Sequence, residues 1–436
     1  MAKKASIDFI TTCRQFIYSS STQELFRVDK SDFTRRRKLP FEIVVLSMLK
    51  LLRKSLAAEI HHIFSDLDLY VKKVTSSAFI QSRKKLKPEL FYALNNLIAT
   101  EYYKDNDENV QLYKGMRLLS IDGSSVNLPL TPAIKKLYGT YINQKETDTV
   151  VARVSILYDV LNDIVLDGLL RPYSEGEVTL SREHFTHAQK GDLIIMDRAY
   201  PSFESAYLLQ EKGIHFLFRC KASFSNELIA FSKSGKTEMI VEIKAKQNKC
   251  FKELPYTKDS VIKVRLLRIK LDSGEIEILM TSLLDAKSFP HRIFKDLYCK
   301  RWKVETYYDR FKNIISVESF SGTSNQFIQQ EFNCALYMSN MQTILTQEAQ
   351  QEVEEKYKDR QYEYKINHSL SLGFIRERLL HLYTNFHESE KIMLELKELF
   401  VLHIVPIRPG RKNIRDIEKY RNRIPPKQFK NRRIVF

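Results

Sequence analysis

Four side chains that can bind a metal ion or a phosphate are spaced along one short segment. Tyr298, Arg301, Glu305 and Lys312 fall within an arc of about 60° when the segment is drawn as an α-helix. A carboxylate can bind a metal ion, and cationic side chains form strong hydrogen bonds to phosphate. The spacing therefore predicts a helix stripe that serves both groups. The alternative is a surface salt-bridge helix, although arginine before glutamate is the less favourable order for such a pair.

An apolar face runs beside this stripe and predicts how the helix packs. A helix with one apolar face buries that face against the core. We therefore expect the polar stripe to border the core rather than to face open water. The apolar positions are Leu297, Val304, Tyr308, Phe311 and Ile315.

Two further carboxylates follow short apolar runs that are typical of buried strands. Asp122 comes after residues 118–121, and Asp197 comes after residues 193–196. Together with Glu305 they form a set of oxygen ligands of the kind that Mg²⁺ prefers. Two such ions can stabilise the attacking and the leaving oxygen of a displacement at phosphorus. The three carboxylates therefore predict a metal-dependent site for phosphoryl transfer.

The residue after each aspartate fits the same chemistry. Gly123 would let the backbone turn sharply beside a phosphate, and the Arg198 side chain would neutralise its charge. Taken one at a time, an Asp-Gly pair is also a frequent turn and an Asp-Arg pair a frequent ion pair. The functional interpretation depends on all three segments coming together in the fold.

The composition points to a polyanionic partner. The chain has 436 residues, enough for several domains, and a net charge of +17 with a pI near 9.4. Nucleic acid is the leading candidate.

The five cysteines show no C-x-x-C spacing, so neither a zinc site nor a disulfide framework is expected. The longest apolar run, Ile43 to Leu52, is too short to span a bilayer, and we expect no membrane insertion and a cytoplasmic location.

The hydrophobic spacing divides the chain into regions. Residues 1–110 have helical periodicity from Phe41 to about Tyr103 and predict a helical N-terminal DNA-binding domain. Residues 111–330 mix strand and helix patterns and predict an α/β catalytic core with a mixed sheet. Within it, residues 221–285 have an all-β pattern and predict an inserted β-rich subdomain. Residues 331–436 predict a helical region with a basic tail.

Two basic segments are candidates for DNA contact. Thr75 is an N-cap candidate for a helix that carries Arg83 and Lys84, and the basic run Arg35–Lys38 lies upstream. We expect Arg83 and Lys84 to contact DNA, either in a helix-turn-helix motif or simply as a basic helix face. The tail from Arg408 carries a strong positive charge and either is solvated or lies along a phosphate backbone.

Three motifs resemble one enzyme family. Asp122-Gly-Ser124, Asp197-Arg-Ala-Tyr200 and the Y-(2)-R-(3)-E-(6)-K spacing from Tyr298 to Lys312 are similar to the signature blocks of the family-four type of bacterial insertion-sequence DDE transposases. The third block is the most specific and matches at all four positions. The resemblance is strong from Leu118 to Lys312 and looser over Thr75–Leu86. It implies a ribonuclease H-like core with a β-rich insertion before the last catalytic helix.

The resemblance also assigns roles to individual residues. It makes Asp122, Asp197 and Glu305 the metal ligands and catalytic residues, and it makes Tyr298, Arg301 and Lys312 contacts to the phosphates of the transposon end. It implies Mg²⁺ as the cofactor, with Mn²⁺ as a substitute. It further implies an enzyme that binds terminal inverted repeats, cleaves the ends and joins the 3′-hydroxyls to target DNA.

The partners implied are the transposon ends, the target DNA and a second copy of the chain in a homodimeric synaptic complex. A nucleoid association follows when the protein is bound to DNA. Two alternatives stay open at this point. One is a ribonuclease H-fold nuclease without strand transfer, and the other is a domesticated DNA-binding protein without catalysis.

The chain departs from the family at one place. Family members that cut through a DNA hairpin stack a flipped base on an aromatic residue of the insertion, often tryptophan, whereas the single tryptophan here is Trp302. Another aromatic residue of the insertion could take the place of the stacking tryptophan, and four residues are candidates. The sequence does not decide whether the reaction passes through a hairpin intermediate. These candidates are Phe224, Phe231, Phe251 and Tyr256.

Overall fold

The computed structural model describes residues 4–35, 37–51, 55–67, 74–104, 109–142, 148–245, 256–271 and 274–408. The basic tail beyond Arg408 and the candidate Phe251 lie outside these residues. The chain divides by its internal packing into two units. The helical unit comprises Met1–Asn109, Val126–Ala152 and Asp309–Phe436, and the sheet unit comprises Val110–Ser125 and Arg153–Tyr308.

The helical unit is assembled around one long buried helix. Helix α13 (Asn325–Lys356) is buried over most of its circumference between Phe327 and Thr346, and it packs against α6, α15 and α3. A helix that is buried on all sides needs neighbours on all sides. The surrounding helices are α1 (Lys4–Tyr18), α2 (Ser20–Phe26), α3 (Phe41–Leu49), α4 (Leu56–Asp66), α5 (Ser76–Arg83), α6 (Glu89–Lys104), α7 (Pro132–Tyr138), α14 (His368–Thr384) and α15 (Ser389–Leu402).

The helical periodicity of the N-terminal region is thereby confirmed over the described residues. A two-stranded antiparallel sheet of β10 (Tyr364–Ile366) and β11 (Ile404–Pro406), with α14 and α15 between its strands in the sequence, was not predicted. None of the described helices combines the length and the apolar character needed to cross a membrane.

A mixed sheet forms the other main element. In the described part of the chain it has nine strands in the order β2-β3-β1-β5-β6-β9-β8-β7, with β4 also paired to β3. This mixed sheet with flanking helices confirms the predicted α/β class. The strands are β1 (Leu118–Leu128), β2 (Tyr141–Ile142), β3 (Asp148–Asp159), β4 (Ile164–Pro172), β5 (Leu193–Met196), β6 (His215–Cys220), β7 (Glu238–Lys244), β8 (Val261–Lys270) and β9 (Ile276–Thr281).

The β-rich segment after β6 extends this sheet. Strand β9 pairs antiparallel with β6, β8 pairs with β9, and β7 pairs with β8. The all-β expectation for residues 221–285 was wrong in one respect, because helix α10 (Asn226–Lys233) lies within it. Ser225 caps that helix by accepting a hydrogen bond from the Leu228 N–H, a local signal that the alternating pattern of the neighbouring strands concealed.

Three more helices belong to the sheet unit. In the sequence, α8 (Glu177–Glu183) precedes β5, α9 (Phe203–Glu211) follows it, and α11 (Phe294–Cys299) precedes the segment that carries Glu305. Helix α12 (Trp302–Asn313) begins in the sheet unit. Gly213 follows α9 with a φ of 65°, the left-handed conformation that glycine adopts readily at a helix C-terminus.

Arg83 has a structural role that differs from the one predicted. Its side chain is 2% exposed at the end of α5. The guanidinium donates from Nε to Gln330 Oε1 at 2.8 Å and from Nη2 to the Phe327 carbonyl at 2.9 Å, and it pairs with Glu331 at 2.9 Å. The predicted DNA contact of Arg83 does not agree with this burial. The residue instead anchors α5 to α13, and its neighbour Lys84 is exposed.

Arg83→Met tests this anchoring role. Breaking a buried ion pair leaves the remaining charge without compensation, which costs about 3–5 kcal/mol. We therefore expect the free energy of unfolding in urea to fall by about that amount, because the Glu331 carboxylate is also buried. Lys84→Met, a change at the adjacent exposed residue, is the matched control and should shift it by about 0.5 kcal/mol or less. Equal effects of the two substitutions would contradict the assignment.

Candidate active site

The sheet register brings two of the predicted carboxylates together. Strands β1 and β5 are parallel, and Ile121 is the partner of Met196. Asp122 and Asp197 are the next residues along the two strands, so they lie side by side at the same level. Strand β1 does not end at Asp122 as predicted but continues to Leu128. The Gly123 N–H donates to Asp122 Oδ1 at 2.9 Å, which fixes the carboxylate close to its own backbone.

The segment that carries Glu305 is two helices rather than one. Helix α11 ends at Cys299, α12 begins at Trp302, and Arg301 lies in the turn between them. Glu305 is in the first turn of α12, where the positive end of the helix dipole favours a carboxylate. The predicted apolar face is confirmed. Its five positions, Leu297, Val304, Tyr308, Phe311 and Ile315, are buried.

Two tyrosines fasten these helices to the aspartates. The Tyr298 hydroxyl donates to Asp197 Oδ1 at 3.0 Å. The Tyr308 hydroxyl donates to the Asp122 carbonyl oxygen at 2.7 Å. Tyr298 was predicted to contact phosphate, whereas in this structure its hydroxyl is used by Asp197. The two bonds position Glu305, which lies between them in the sequence, beside the aspartate-bearing segments.

Arg301 occupies the space among the carboxylates. Its side chain is 3% exposed, with Nη2 at 2.8 Å from Glu305 Oε1 and Nη1 at 3.8 Å from Asp122 Oδ2. The guanidinium also lies 5.0 Å from the ring of Trp302, which is itself 55% exposed. Arg301 and Glu305 thus form the salt bridge of the alternative interpretation. The bridge lies inside the site rather than on an exposed surface, and Asp122 is a second carboxylate near the same guanidinium.

The two aspartates have opposite electrostatic environments. Burial raises the pKa of Asp122 to about 6, and the nearby Glu305 and Asp197 carboxylates add to this rise. Burial also acts on Asp197, but the Arg198 backbone N–H, Arg301 and the Tyr298 hydroxyl together hold its pKa below the ordinary value. The carboxylates are therefore close enough to perturb one another, and positive charge at the site favours the ionised form of both aspartates.

Several residues of the site were missed by sequence reasoning. The Tyr200 hydroxyl is 3.5 Å from Asp122 Oδ1, and Tyr200 ends the Asp197–Tyr200 motif, which was a usable signal. Arg219 Nη1 lies 3.6 Å from Asp197 and its Nη2 lies 2.6 Å from Glu277. No local pattern distinguishes an arginine on β6 or a glutamate on β9 from ordinary strand residues, so only the sheet pairing reveals them.

The other predicted DNA contacts are placed as follows. The Arg198 side chain is exposed beside Asp197, and Lys312 lies in the last turn of α12 within the helical unit. Among the candidate insertion aromatics, Phe231 is fully buried and Tyr256 packs against the Phe203 ring at 5.0 Å. Phe224 is half-buried.

The three carboxylates have the donor chemistry of a metal site. Asp122, Asp197 and Glu305 supply only hard oxygen donors, which suit Mg²⁺ or Mn²⁺. Burial raises the pKa of the Asp122 carboxyl and the nearby Arg301 charge lowers it, so a cation at the site favours the ionised form. No group of three acidic, histidine or cysteine side chains among the described residues converges closely enough to hold one ion. The donors fit the metal, and Arg301 lies between two of them.

Comparison with known proteins agrees with this geometry. The model of the transposase DDE domain family matches residues 113–341, which is more than half of the chain and includes all three carboxylates. The chain belongs to this family. The resemblance to bacterial insertion-sequence DDE transposases is confirmed by two curated relatives. Asp122, Asp197 and Glu305 therefore lie within the DDE domain of this chain.

The two relatives are both from Escherichia coli (strain K12). The transposase InsG for insertion sequence element IS4 is 26% identical over 288 residues, which is 64% of this chain and 63% of that protein. The putative transposase InsZ is 21% identical over 203 residues, 45% of this chain and 66% of that protein. The matches thus span slightly less than two thirds of each relative. Among solved structures, a piggyBac transposase synaptic complex with hairpin DNA aligns with a TM-score of 0.46 at 11% identity, covering 97% of this chain and 92% of that chain.

Gly123→Ala tests the close packing beside Asp122. A Cβ at this position would lie 2.8 Å from the Tyr200 hydroxyl oxygen, too close for an ordinary contact. We expect a loss of about 1–3 kcal/mol in unfolding free energy, as for other overpacked sites. Tyr200→Phe removes the clashing oxygen, so the double variant should lose less than the sum of the two single variants. Additive losses in urea unfolding would show that Tyr200 is not the obstacle.

Proposed function

We propose that this chain is a DNA transposase that cleaves DNA at the ends of its element and joins the freed 3′-hydroxyls to target DNA. The observation that carries the proposal is the parallel β1–β5 register, which places Asp122 beside Asp197, with Glu305 tied to Asp122 through the Arg301 guanidinium. Membership in the transposase DDE domain family supports the same reaction class.

The residues of the site would divide the work of phosphoryl transfer. Asp122, Asp197 and Glu305 would hold Mg²⁺ or Mn²⁺, which when bound stabilises the attacking and leaving oxygens at phosphorus. Tyr298 orients the Asp197 carboxylate and Tyr308 fixes the backbone at Asp122. Such prior orientation lowers the cost of assembling the reacting geometry.

Cationic groups at the site would receive the phosphate. The exposed Arg198 side chain is placed to neutralise a phosphate beside Asp197. We propose that Tyr298, Arg301 and Lys312 contact phosphates of the element end, which for Tyr298 requires its hydroxyl to leave Asp197. For Arg301 this contact requires the guanidinium to leave Glu305, because its fork is engaged by carboxylates in this structure.

The helical unit offers a separate surface for DNA. A groove of about 800 Å³ lies between α5 and the loop that precedes α3, and its lining includes Arg35, Arg37, Lys38 and Lys85 with one acidic residue, Asp32. Lys85 pairs with Asp32 at 3.0 Å, which joins the loop to the end of α5. The structure thus brings together two basic segments that are far apart in the sequence, and the excess positive charge favours a phosphate backbone.

We propose the following organisation on this basis. Residues 1–110 bind the terminal inverted repeats, residues 111–330 form a ribonuclease H-like catalytic core, and residues 331–436 supply a helical support and a basic tail. Lys84, exposed at the end of α5, is retained as a DNA contact, and Arg83 is not. A homodimer that holds two ends in a synaptic complex is part of the same proposal.

The carboxylate triad is tested by substitutions that preserve size. Asp122→Asn, Asp197→Asn and Glu305→Gln should each reduce Mg²⁺-dependent cleavage of an end-containing duplex by at least about a thousandfold, because each removes a charged ligand. Without divalent metal, binding of the same duplex should weaken by less than about threefold, since the proposed binding groove is built from other residues. Gel-based cleavage and mobility-shift assays measure the two effects.

The matched control is Glu211→Gln, which removes an exposed carboxylate from the same unit. Near-parental cleavage by any triad variant would remove that residue from the site. A strand-transfer assay with supercoiled target separates the reactions, because a nuclease would hydrolyse the ends without joining them.

The groove is tested through the salt dependence of binding. The double variant Arg35→Ala/Arg37→Ala should weaken end binding by about tenfold or more at low salt. It should also reduce the slope of log affinity against log salt by about 0.9 for each DNA phosphate that the protein no longer neutralises. The matched control, Lys365→Ala/Lys391→Ala, changes two exposed lysines of the helical unit outside the groove. Indistinguishable slopes for the two double variants would argue that the groove does not bind DNA.

A further inference from the structure

One guanidinium fills the gap between two of the catalytic carboxylates. Its two terminal nitrogens point to different acids, Nη2 to Glu305 at 2.8 Å and Nη1 to Asp122 at 3.8 Å. A divalent ion shared by the same two carboxylates would need their oxygens about 2.0–2.1 Å from its centre. The guanidinium and the ion would therefore occupy the same gap, and their like charges would repel.

Aromatic rings and carboxylates surround the Arg301 side chain in the part of the chain that the structure describes. Its side chain is 3% exposed and is flanked by the rings of Tyr298 at 5.8 Å and Trp302 at 5.0 Å. Its Nε is buried and has no hydrogen-bond partner among the described residues. The carboxylates are thus the groups that fix the guanidinium, and an unsatisfied Nε leaves the arrangement less stable than a fully bonded one.

The local backbone would permit a change of position. Arg301 lies in the turn between α11 and α12, not inside a helix. Its backbone N–H donates to the Tyr298 carbonyl and its carbonyl accepts from the Val304 N–H, and a change of side-chain rotamer leaves both bonds intact. Trp302, which covers one side of the guanidinium, is 55% exposed and forms the outer edge of this arrangement.

The charges at the site show what the guanidinium supplies. The Arg301 guanidinium lies 2.8 Å from Glu305 Oε1 and 3.8 Å from Asp122 Oδ2. One positive charge thus offsets part of the repulsion among three carboxylates. A bound metal ion would supply the same compensation with twice the charge.

We propose that Arg301 is the resident cation of the carboxylate site in the DNA-free protein, that it competes with the divalent metal, and that a DNA phosphate draws it away. This inference rests on the proposed function, since it takes the three carboxylates to be the metal ligands. It assigns Arg301 a positioning role in which metal binding and DNA binding are coupled. By linkage, DNA that holds Arg301 raises metal affinity, and metal raises DNA affinity by the same factor.

The change in Mn²⁺ affinity when Arg301 is replaced separates this role from a purely structural one, because the two roles predict different directions. If Arg301 only orients Glu305, removing it leaves Mn²⁺ affinity unchanged or lowers it. If Arg301 competes with the metal, removing its charge raises Mn²⁺ affinity in the absence of DNA. Arg301→Met keeps most of the buried side-chain volume while removing the charge, so it is the informative substitution.

The experiment is a Mn²⁺ titration of the full chain, with the free ion measured by electron paramagnetic resonance. We expect Arg301→Met to bind Mn²⁺ at least about tenfold more tightly than the parent without DNA, because charges about 4 Å apart interact strongly even at an effective dielectric constant near 20. Arg301→Lys, which keeps the charge, should remain within about threefold of the parent. Arg171→Gln, which removes an exposed guanidinium elsewhere in the sheet unit, should have no effect.

A second measurement on the parent does not depend on the stability of any variant. Adding a duplex that contains the element end should increase the Mn²⁺ affinity of the parent by about tenfold, and it should have little effect on Arg301→Met. Equal Mn²⁺ affinities of the parent with and without DNA, or weaker binding by a folded Arg301→Met, would overturn the inference. If no form binds Mn²⁺ even with DNA, the metal site of the proposed function fails as well, so the two failures are distinguishable.

Discussion

The site depends on the repulsion among three carboxylates that the fold holds together. The parallel pairing of β1 and β5 leaves Asp122 and Asp197 at the same level, and the helix that follows the β-rich insertion adds Glu305. Burying like charges in one place is unfavourable unless positive charge compensates them. Burial raises the pKa of Asp122, and the neighbouring Glu305 and Asp197 carboxylates add a smaller contribution. Several nearby side chains supply the compensating positive charge.

The compensation comes from several elements of the sheet unit. Arg301 pairs with Glu305 and approaches Asp122, while Arg219 lies near Asp197 and is itself held by Glu277 on β9. The β-rich insertion therefore contributes to the electrostatics of the site through β9, in addition to extending the sheet. A site arranged in this way favours a cation, and it favours a phosphate when a divalent ion binds both. This property suits metal-dependent chemistry on DNA.

The sequence predicted those parts of the site that depend on local spacing. The carboxylates, the apolar face of α12 and the strands that precede the aspartates follow from periodicity, and the structure has them. Long-range pairing could not be predicted. Arg83 is next to an exposed lysine in a basic segment, and nothing nearby shows that Glu331 on α13 takes its charge. The break between α11 and α12 was also missed, because the helical spacing runs through the turn that contains Arg301. Tyr308 was predicted as an apolar contact, whereas its hydroxyl also holds the Asp122 backbone.

We propose that Asp122, Asp197 and Glu305 form one metal site whose resident cation is exchanged when DNA binds. The most direct test is a crystal structure of the full chain with an end-containing duplex and Mn²⁺, using anomalous scattering to locate the ion. We expect an anomalous peak about 2.0–2.3 Å from oxygens of these carboxylates, with the Arg301 guanidinium moved from Glu305 to a DNA phosphate. A bound duplex with Arg301 still between Asp122 and Glu305, or an anomalous peak held by other residues, would contradict it.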